Sequence, residues 1–150
     1  MKLVKDIVAG QNTVTVELMT PVAEAARRMA VRGIGAVPVI DGGCVAGIFT
    51  ERDALVRVIA PGLDPGATPV GDVMTAALVV ADVRETCVVC LERMRDMRVR
   101  HLIVLDRDQM AGVVSMRDLM AADLDDKVDT ITFLNAYVSD VPPDLVNRRS

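Results

Sequence analysis

The chain of 150 residues has no tryptophan, one tyrosine and two phenylalanines, so its interior has to be built from Val, Ile, Leu, Ala and Met. The same shortage removes the stacking platforms on which single-stranded nucleic-acid binders lay out bases. Positive charge is short as well: 17 Lys and Arg stand against 21 Asp and Glu, a formal charge of −4. With a pI near 4.9, the chain is the opposite of a basic phosphate-backbone binder, which argues against nucleic acid as a partner. No apolar run approaches the roughly 20 residues of a membrane span, so no membrane association is expected. The start, "MKLVKDIVAG", is charged and its apolar stretch is too short for a secretory signal. Three cysteines (Cys44, Cys87, Cys90) do not make a disulfide framework and suit a reduced compartment. The expected location is the cytoplasm.

What is present is apolar bulk, arranged twice. Half of the residues are hydrophobic and mean hydropathy is +0.35, enough for a sizeable core. A shift of 65 residues carries Gly47 onto Gly112, Thr50 onto Ser115, Arg52 onto Arg117 and Asp53 onto Asp118. The same shift lays Met29 on Met94 and "GAVPVID" (35–41) on "RHLIVLD" (100–106). A second echo, "KDIV" (5–8) against "GDVM" (71–74), has an offset of 66. The whole unit is duplicated, and neither copy alone is expected to bury its apolar face.

Within the first unit, "NTVTV" (12–16) reads as a strand, and Thr20-Pro21 as a helix cap with proline at the first helical position. Val22, Ala25, Ala26, Met29 and Ala30 recur at helical spacing, and Gly33 and Gly35 break that helix. Strands at 36–40 and 44–49 meet at Asp41-Gly42-Gly43, a tight-turn sequence. A second helix is predicted over 51–60 with Leu55, Val58 and Ile59 inward, ended by the linker "PGLDPGATP". The second unit repeats the order: a strand at 77–80, a helix with Cys87, Cys90, Leu91 and Met94 on one face, strands at 101–105 and 110–114, and a helix from about 116. Beyond Lys127, "VDTITFLNAYVSD" predicts one more helix (Ile131, Leu134, Val138), stopped by Pro142-Pro143 and able to extend a dimer contact. The fold class is α/β (α+β): two β-α-β-β-α repeats, residues 1–66 and 67–126, followed by a C-terminal helix and tail at 127–150.

Taken together, "GIGAVPVID", "GIFTERD", "DVMT", "VRHLIVLD" and "GVVSMRD" resemble the motifs of a tandem cystathionine-β-synthase (CBS) domain pair, or Bateman module, of the standalone bacterial type. The likeness runs from about Val4 to Leu124. It implies two repeats packed about a pseudo-twofold axis, with two clefts that take AMP, ADP or ATP, and in some members NADH or S-adenosylmethionine. It also implies a regulatory role, a disc-like homodimer and a regulated partner that the sequence does not name. By resemblance the first cleft uses Val14, Thr15, Gly35, Ala36, Val37, Pro38, Thr50 and Asp53. The second uses Val79, Val80, Arg100, His101, Leu102, Ile103, Ser115 and Asp118.

Thr50-x-x-Asp53 and Ser115-x-x-Asp118 have two compatible readings. As [ST]-x-x-[DE] before a helix, each is a capping box. As a hydroxyl and an acid at a helix start, each can also hold a ribose diol and sit beside an anion. The second copy adds Arg100 and His101 as phosphate donors, where the first has Gly35 and Ala36. Arg32 or Arg52 could compensate in the first, yet the second is expected to bind phosphate better. His101, the only histidine, is read as a phosphate contact against a merely structural role. Cys87 and Cys90 read as small core residues and not as a redox or zinc pair. The run "ERMRDMRVR" (92–100) reads as a solvated helix face, its alternative a local basic stripe. No nucleophile elbow, lysine-bearing phosphate loop or metal-ligand cluster occurs; no catalysis, metal or required cofactor is expected. The alternative function is a dimerisation scaffold that binds no ligand.

Overall fold

A computed structural model describes residues 1–139. In chain order the elements are α1 (Val4–Val8), β1 (Val16–Glu17), α2 (Val22–Arg32), β2 (Ala36–Asp41), β3 (Cys44–Thr50) and α3 (Glu51–Asp53), which runs straight on into a π-helical stretch, Ala54–Ile59. There follow α4 (Val70–Val73), β4 (Val80–Asp82), α5 (Cys87–Met97), β5 (His101–Asp106), β6 (Gln109–Ser115) and α6 (Met116–Ser139). Two three-stranded sheets result, β1-β2-β3 and β4-β5-β6, each with its first pair parallel and its second antiparallel. The mixed α+β architecture agrees with the duplicated pattern.

The repeat holds down to local irregularities. The β2-β3 register shifts between Val39 and Ile40, and the β5-β6 register between Val104 and Leu105, the matched positions. Both hairpins turn on two residues of positive φ. In the first these are Gly42 (55°) and Gly43 (83°); in the second they are Arg107 (48°) and Asp108 (67°). Such a turn matches the twist of the flanking strands.

Each sheet packs one helical face and borrows a short helix from the other unit. Val22, Ala25 and Met29 of α2 meet Val37, Val39 and Phe49, together with Val70 and Val73 of α4. Cys87, Cys90 and Met94 of α5 meet Leu102, Val104 and Val114, together with Val4 and Val8 of α1. The exchange is fixed by matched backbone bonds. Val4 and Lys5 donate to Glu85 and Val83, both at 2.9 Å; Val70 and Gly71 donate to Thr20 and Leu18 at 2.8 and 2.9 Å. Close approach accompanies it: a Cβ on Gly47 would lie 2.6 Å from Met74 Sδ and 2.7 Å from the Thr75 carbonyl oxygen. Ala36, Ile48 and Ile103 form a third cluster that joins the two sheets.

Several local expectations are corrected. Of the first predicted strand (12–16) only Val16 pairs, in a two-residue strand Val16–Glu17. The carbonyls of Asn12 and Thr15 instead accept from Arg32 (3.0 Å) and Arg28 (3.4 Å), which draws that backbone off the sheet. Strand β4 likewise begins at Val80, not Ala77. Ala26 and Ala30 are exposed. Pro21 is the N-cap of α2, and the Thr20 hydroxyl accepts from Glu17 N instead of capping the helix. The π-helical stretch widens the turn beyond 3.6 residues, so Val58 stays buried while Leu55 and Ile59 face outward, 59% and 64% exposed. The helix predicted beyond Lys127 is no separate element: α6 continues through it, with Ile131, Leu134 and Val138 exposed. Pro142-Pro143 lies outside the described residues.

Candidate functional site

The C-terminal ends of β3 and β6 each deliver a hydroxyl and an acid into one cleft between the sheets, with a volume of about 1180 Å³. At the β3 end the Asp53 amide donates to Thr50 Oγ1 (3.2 Å) and the Thr50 amide donates to Asp53 Oδ2 (3.0 Å). At the β6 end the Asp118 amide donates to Ser115 Oγ and the Ser115 amide to Asp118 Oδ2, both at 3.0 Å. Both are reciprocal capping boxes, and both acids also line the cleft.

Beyond the caps the two ends differ. Asp53 is 6% exposed, and its Oδ1 accepts the Thr75 hydroxyl at 3.0 Å and lies 3.8 Å from Arg57 Nε. Asp118 is exposed, and among the described residues its Oδ1 has no protein partner. The positions matching Arg57 and Thr75 are Ala122 and Ala9, which carry no donor on their side chains. The supporting edge differs too. Thr75 pairs with Ile48 through two backbone bonds, 2.9 and 2.8 Å. The matched Val113 pairs instead with the Gln11 carboxamide, which donates to its carbonyl (3.0 Å) and accepts from its amide (2.9 Å).

Six arginines (Arg32, Arg52, Arg57, Arg98, Arg100, Arg117) and three acids (Glu51, Asp53, Asp118) line the cleft, giving a cationic lining on an acidic chain. Arg32 and Arg57 are tied to the carbonyls of Asn12 and Met74. Among the described residues, the guanidinium groups of Arg52, Arg98, Arg100 and Arg117 have no protein hydrogen-bond or ion-pair partner. Arg98 ends α5 with φ 54°, in the left-handed region, where the matched Gly33 ends α2 with φ 62°. An arginine is strained there by about 1 kcal/mol relative to glycine. Strain of this kind collects at functional sites.

His101 opens β5 and is partly buried. Burial first, and then the Arg100 charge, hold its imidazole below the ordinary value, against the pull of Glu51 and Asp118. Gly35, matched to Arg100, leaves room for this group. A Cβ there would stand 3.2 Å from the Glu51 carboxyl and 3.5 Å from His101 Cε1. Elsewhere burial pushes the Cys90 thiol up to about 12, with Glu85 adding to it, and raises Cys87. Neither is a thiolate at neutral pH, as a redox role would require. Among the described residues no His, Cys, Asp and Glu cluster could hold a metal.

Of the sequence-predicted residues, Val14, Gly35, Ala36, Thr50, Asp53, Val79, Arg100, His101, Ile103, Ser115 and Asp118 line the cleft. Thr15, Val37, Pro38, Val80 and Leu102 do not. Val37 and Leu102 point into the two sheet cores because strand neighbours alternate faces. Unforeseen wall residues include Arg57, Thr75 and Arg98. A repeat alignment that asked which matched pairs differ in charge or in glycine would have singled out Arg57, matched to Ala122, and Arg98, matched to Gly33, but not Thr75, whose match is Ala9.

The family model for the CBS domain matches residues 4–60 and 70–125. The chain therefore belongs to the CBS-domain family, as a tandem pair. It is 34% identical over 119 residues to the CBS domain-containing protein YhcV of Bacillus subtilis, covering 79% of this chain and 84% of that protein. It is 33% identical to the mitochondrial CBS domain-containing protein CBSX3 of Arabidopsis thaliana, but spans 59% of that relative's length. The CBS-domain containing protein ATU1752 of Agrobacterium tumefaciens superposes with a TM-score of 0.74 at 34% identity, covering 81% and 99% of the two chains. The fold is shared with PAE2072 of Pyrobaculum aerophilum, solved with AMP (TM-score 0.70, 21% identity, 78% and 89% covered). It is also shared with MJ0100, solved with 5-methylthioadenosine and S-adenosyl-L-methionine (0.72, 22%, 81% and 95%).

Proposed function

We propose that this protein is a regulatory module that binds an adenosine nucleotide of the AMP, ADP or ATP class in the cleft between its two CBS repeats. In this reading NADH and S-adenosylmethionine are the alternative ligands, and no reaction is catalysed. The observation that carries it is the Asp118 end of the cleft: among the described residues, an acid with one unpartnered oxygen stands beside arginines that have no protein partner. An exposed carboxylate oxygen can accept a ribose hydroxyl, and Arg98, Arg100 and Arg117 offer bidentate donors to a phosphate. Charge supports it, since a net excess of arginine lines this one cleft of an acidic chain. The AMP bound by PAE2072 and the adenosyl ligands bound by MJ0100 support the same ligand class.

Binding changes a dimer or a partner. Leu55 and Ile59 of the first unit and the matched Met120 and Leu124 of the second are exposed apolar side chains on equivalent helices. They suit a second copy of the chain. No helix of the described residues is long and apolar enough to cross a membrane. A thermal-shift panel of AMP, ADP, ATP, NADH and S-adenosylmethionine tests the proposal. A ligand that binds only the folded state raises the midpoint with its concentration. No shift with any of the five at millimolar concentration overturns it and leaves the scaffold reading, which the two capping boxes satisfy without a ligand.

A further inference from the structure

Resting on that nucleotide reading, we infer that Thr75 and Arg57 close the Asp53 end of the cleft, so that it holds one nucleoside, with its ribose on Asp118. A ribose diol needs both oxygens of a carboxylate or one oxygen with free lone pairs. At Asp53 both oxygens already accept a protein donor, and the acid is only 6% exposed. Oδ2 is committed to the Thr50 amide, and Oδ1 takes the Thr75 hydroxyl and faces Arg57.

These partners are held from behind. Thr75 is fixed by its backbone pair with Ile48, and Arg57 donates to the Met74 carbonyl at 2.7 Å. A ligand at this end has to displace a hydrogen bond already made between two buried or part-buried groups. At the other end the repeat substitutes Ala122 for Arg57 and the Gln11 carboxamide for the Thr75 backbone. Among the described residues no hydroxyl donates to the Asp118 carboxylate. The difference is one of accessible lone pairs, not of the acid itself, which both ends keep. It makes Thr75 a residue that determines how many ligands the cleft accepts.

Isothermal titration with AMP of wild type, Thr75→Ala, Thr75→Val and Thr75→Ser tests this. The expected stoichiometry is one ligand per chain for wild type and Thr75→Ser, which keeps the hydroxyl, and two for Thr75→Ala. Thr75→Val keeps the shape without the hydroxyl; it replaces Thr75→Ala if that variant unfolds, with the same expectation of two. In the double variant Thr75→Ala/Asp118→Ala one site remains. A wild-type stoichiometry of two, or of one in every folded hydroxyl-less variant, overturns the inference while leaving the nucleotide reading intact. No AMP binding by wild type and by Thr75→Ala alike overturns the inference, and the nucleotide reading falls with it only if the five-ligand thermal-shift panel is flat as well.

Discussion

Arg98 adopts the left-handed backbone conformation that Gly33 adopts one repeat earlier, at φ 54° and 62°. Both residues end the helix before the second strand of their sheet, and the amide of each donates back into the last helical turn. Glycine makes this turn without strain. The second unit makes it with a side chain that costs about 1 kcal/mol in this conformation and projects a cation into the cleft. Replacing Arg98 by Gly is expected to raise unfolding stability by about 0.5–1 kcal/mol and to weaken AMP binding. Urea unfolding and calorimetric titration of the one variant read both effects. A variant with unchanged affinity would show that Arg98 does not contact the ligand.

Gly47 marks where the borrowed helix of one unit meets the sheet of the other. An added Cβ would run into the Met74 thioether, which can move, and the Thr75 carbonyl, which cannot without breaking its pair with Ile48. Gly47→Ala is expected to cost about 2–3 kcal/mol, the upper part of the overpacking range, measured by chemical denaturation. Alanine at Gly42, where the space is open but φ is 55°, acts only through backbone strain and costs about 1 kcal/mol.

The pH dependence follows from His101. Its folded-state value is depressed by burial and by Arg100, so the unfolded chain takes up its proton first as pH falls. The stability it permits is complete above the ordinary histidine value of about 6.5 and declines below it, levelling off once pH passes the depressed value. His101→Gln is expected to flatten unfolding stability between about pH 7 and 5 relative to wild type. An identical slope in both proteins would mean that His101 titrates alike in the folded and unfolded chains.

The three thiols are expected to separate in an alkylation time course at pH 8. Cys44 is exposed and is labelled first. Cys87 and Cys90 are buried, with Cys90 pushed up to about 12, and react only as fast as the fold opens. Mass spectrometry after denaturation and counter-labelling distinguishes them.

The legibility of these features in the sequence tracks their cause. The two sheets, the paired hairpins and the buried faces of α2 and α5 follow from periodicity and turn chemistry, and the 65-residue shift finds them twice. Thr50, Asp53, Ser115 and Asp118 were legible for the same reason. The outward turn of Leu55 and Ile59 was not, because a π-helical stretch changes which residues share a face. The short length of β1 was equally hidden, since Arg28 and Arg32 compete for its carbonyls from another element. The unequal state of the two acids depends on Thr75, 22 residues from Asp53 in sequence, on an offset of 66 where the strands match at 65. The expected weakness of the first end rested on Gly35 and Ala36; the geometry adds the committed oxygens of Asp53.

The most direct test compares Asp118→Ala with Asp53→Ala by AMP titration and by unfolding. Asp118 is an exposed cap, so its loss is expected to cost about 1 kcal/mol of stability and to abolish AMP binding. Asp53 is buried among partners, so its loss is expected to cost about 2–4 kcal/mol, with AMP still bound by the chains that remain folded. Binding that survives in Asp118→Ala and disappears in folded Asp53→Ala would contradict the assignment of the ligand to the second repeat.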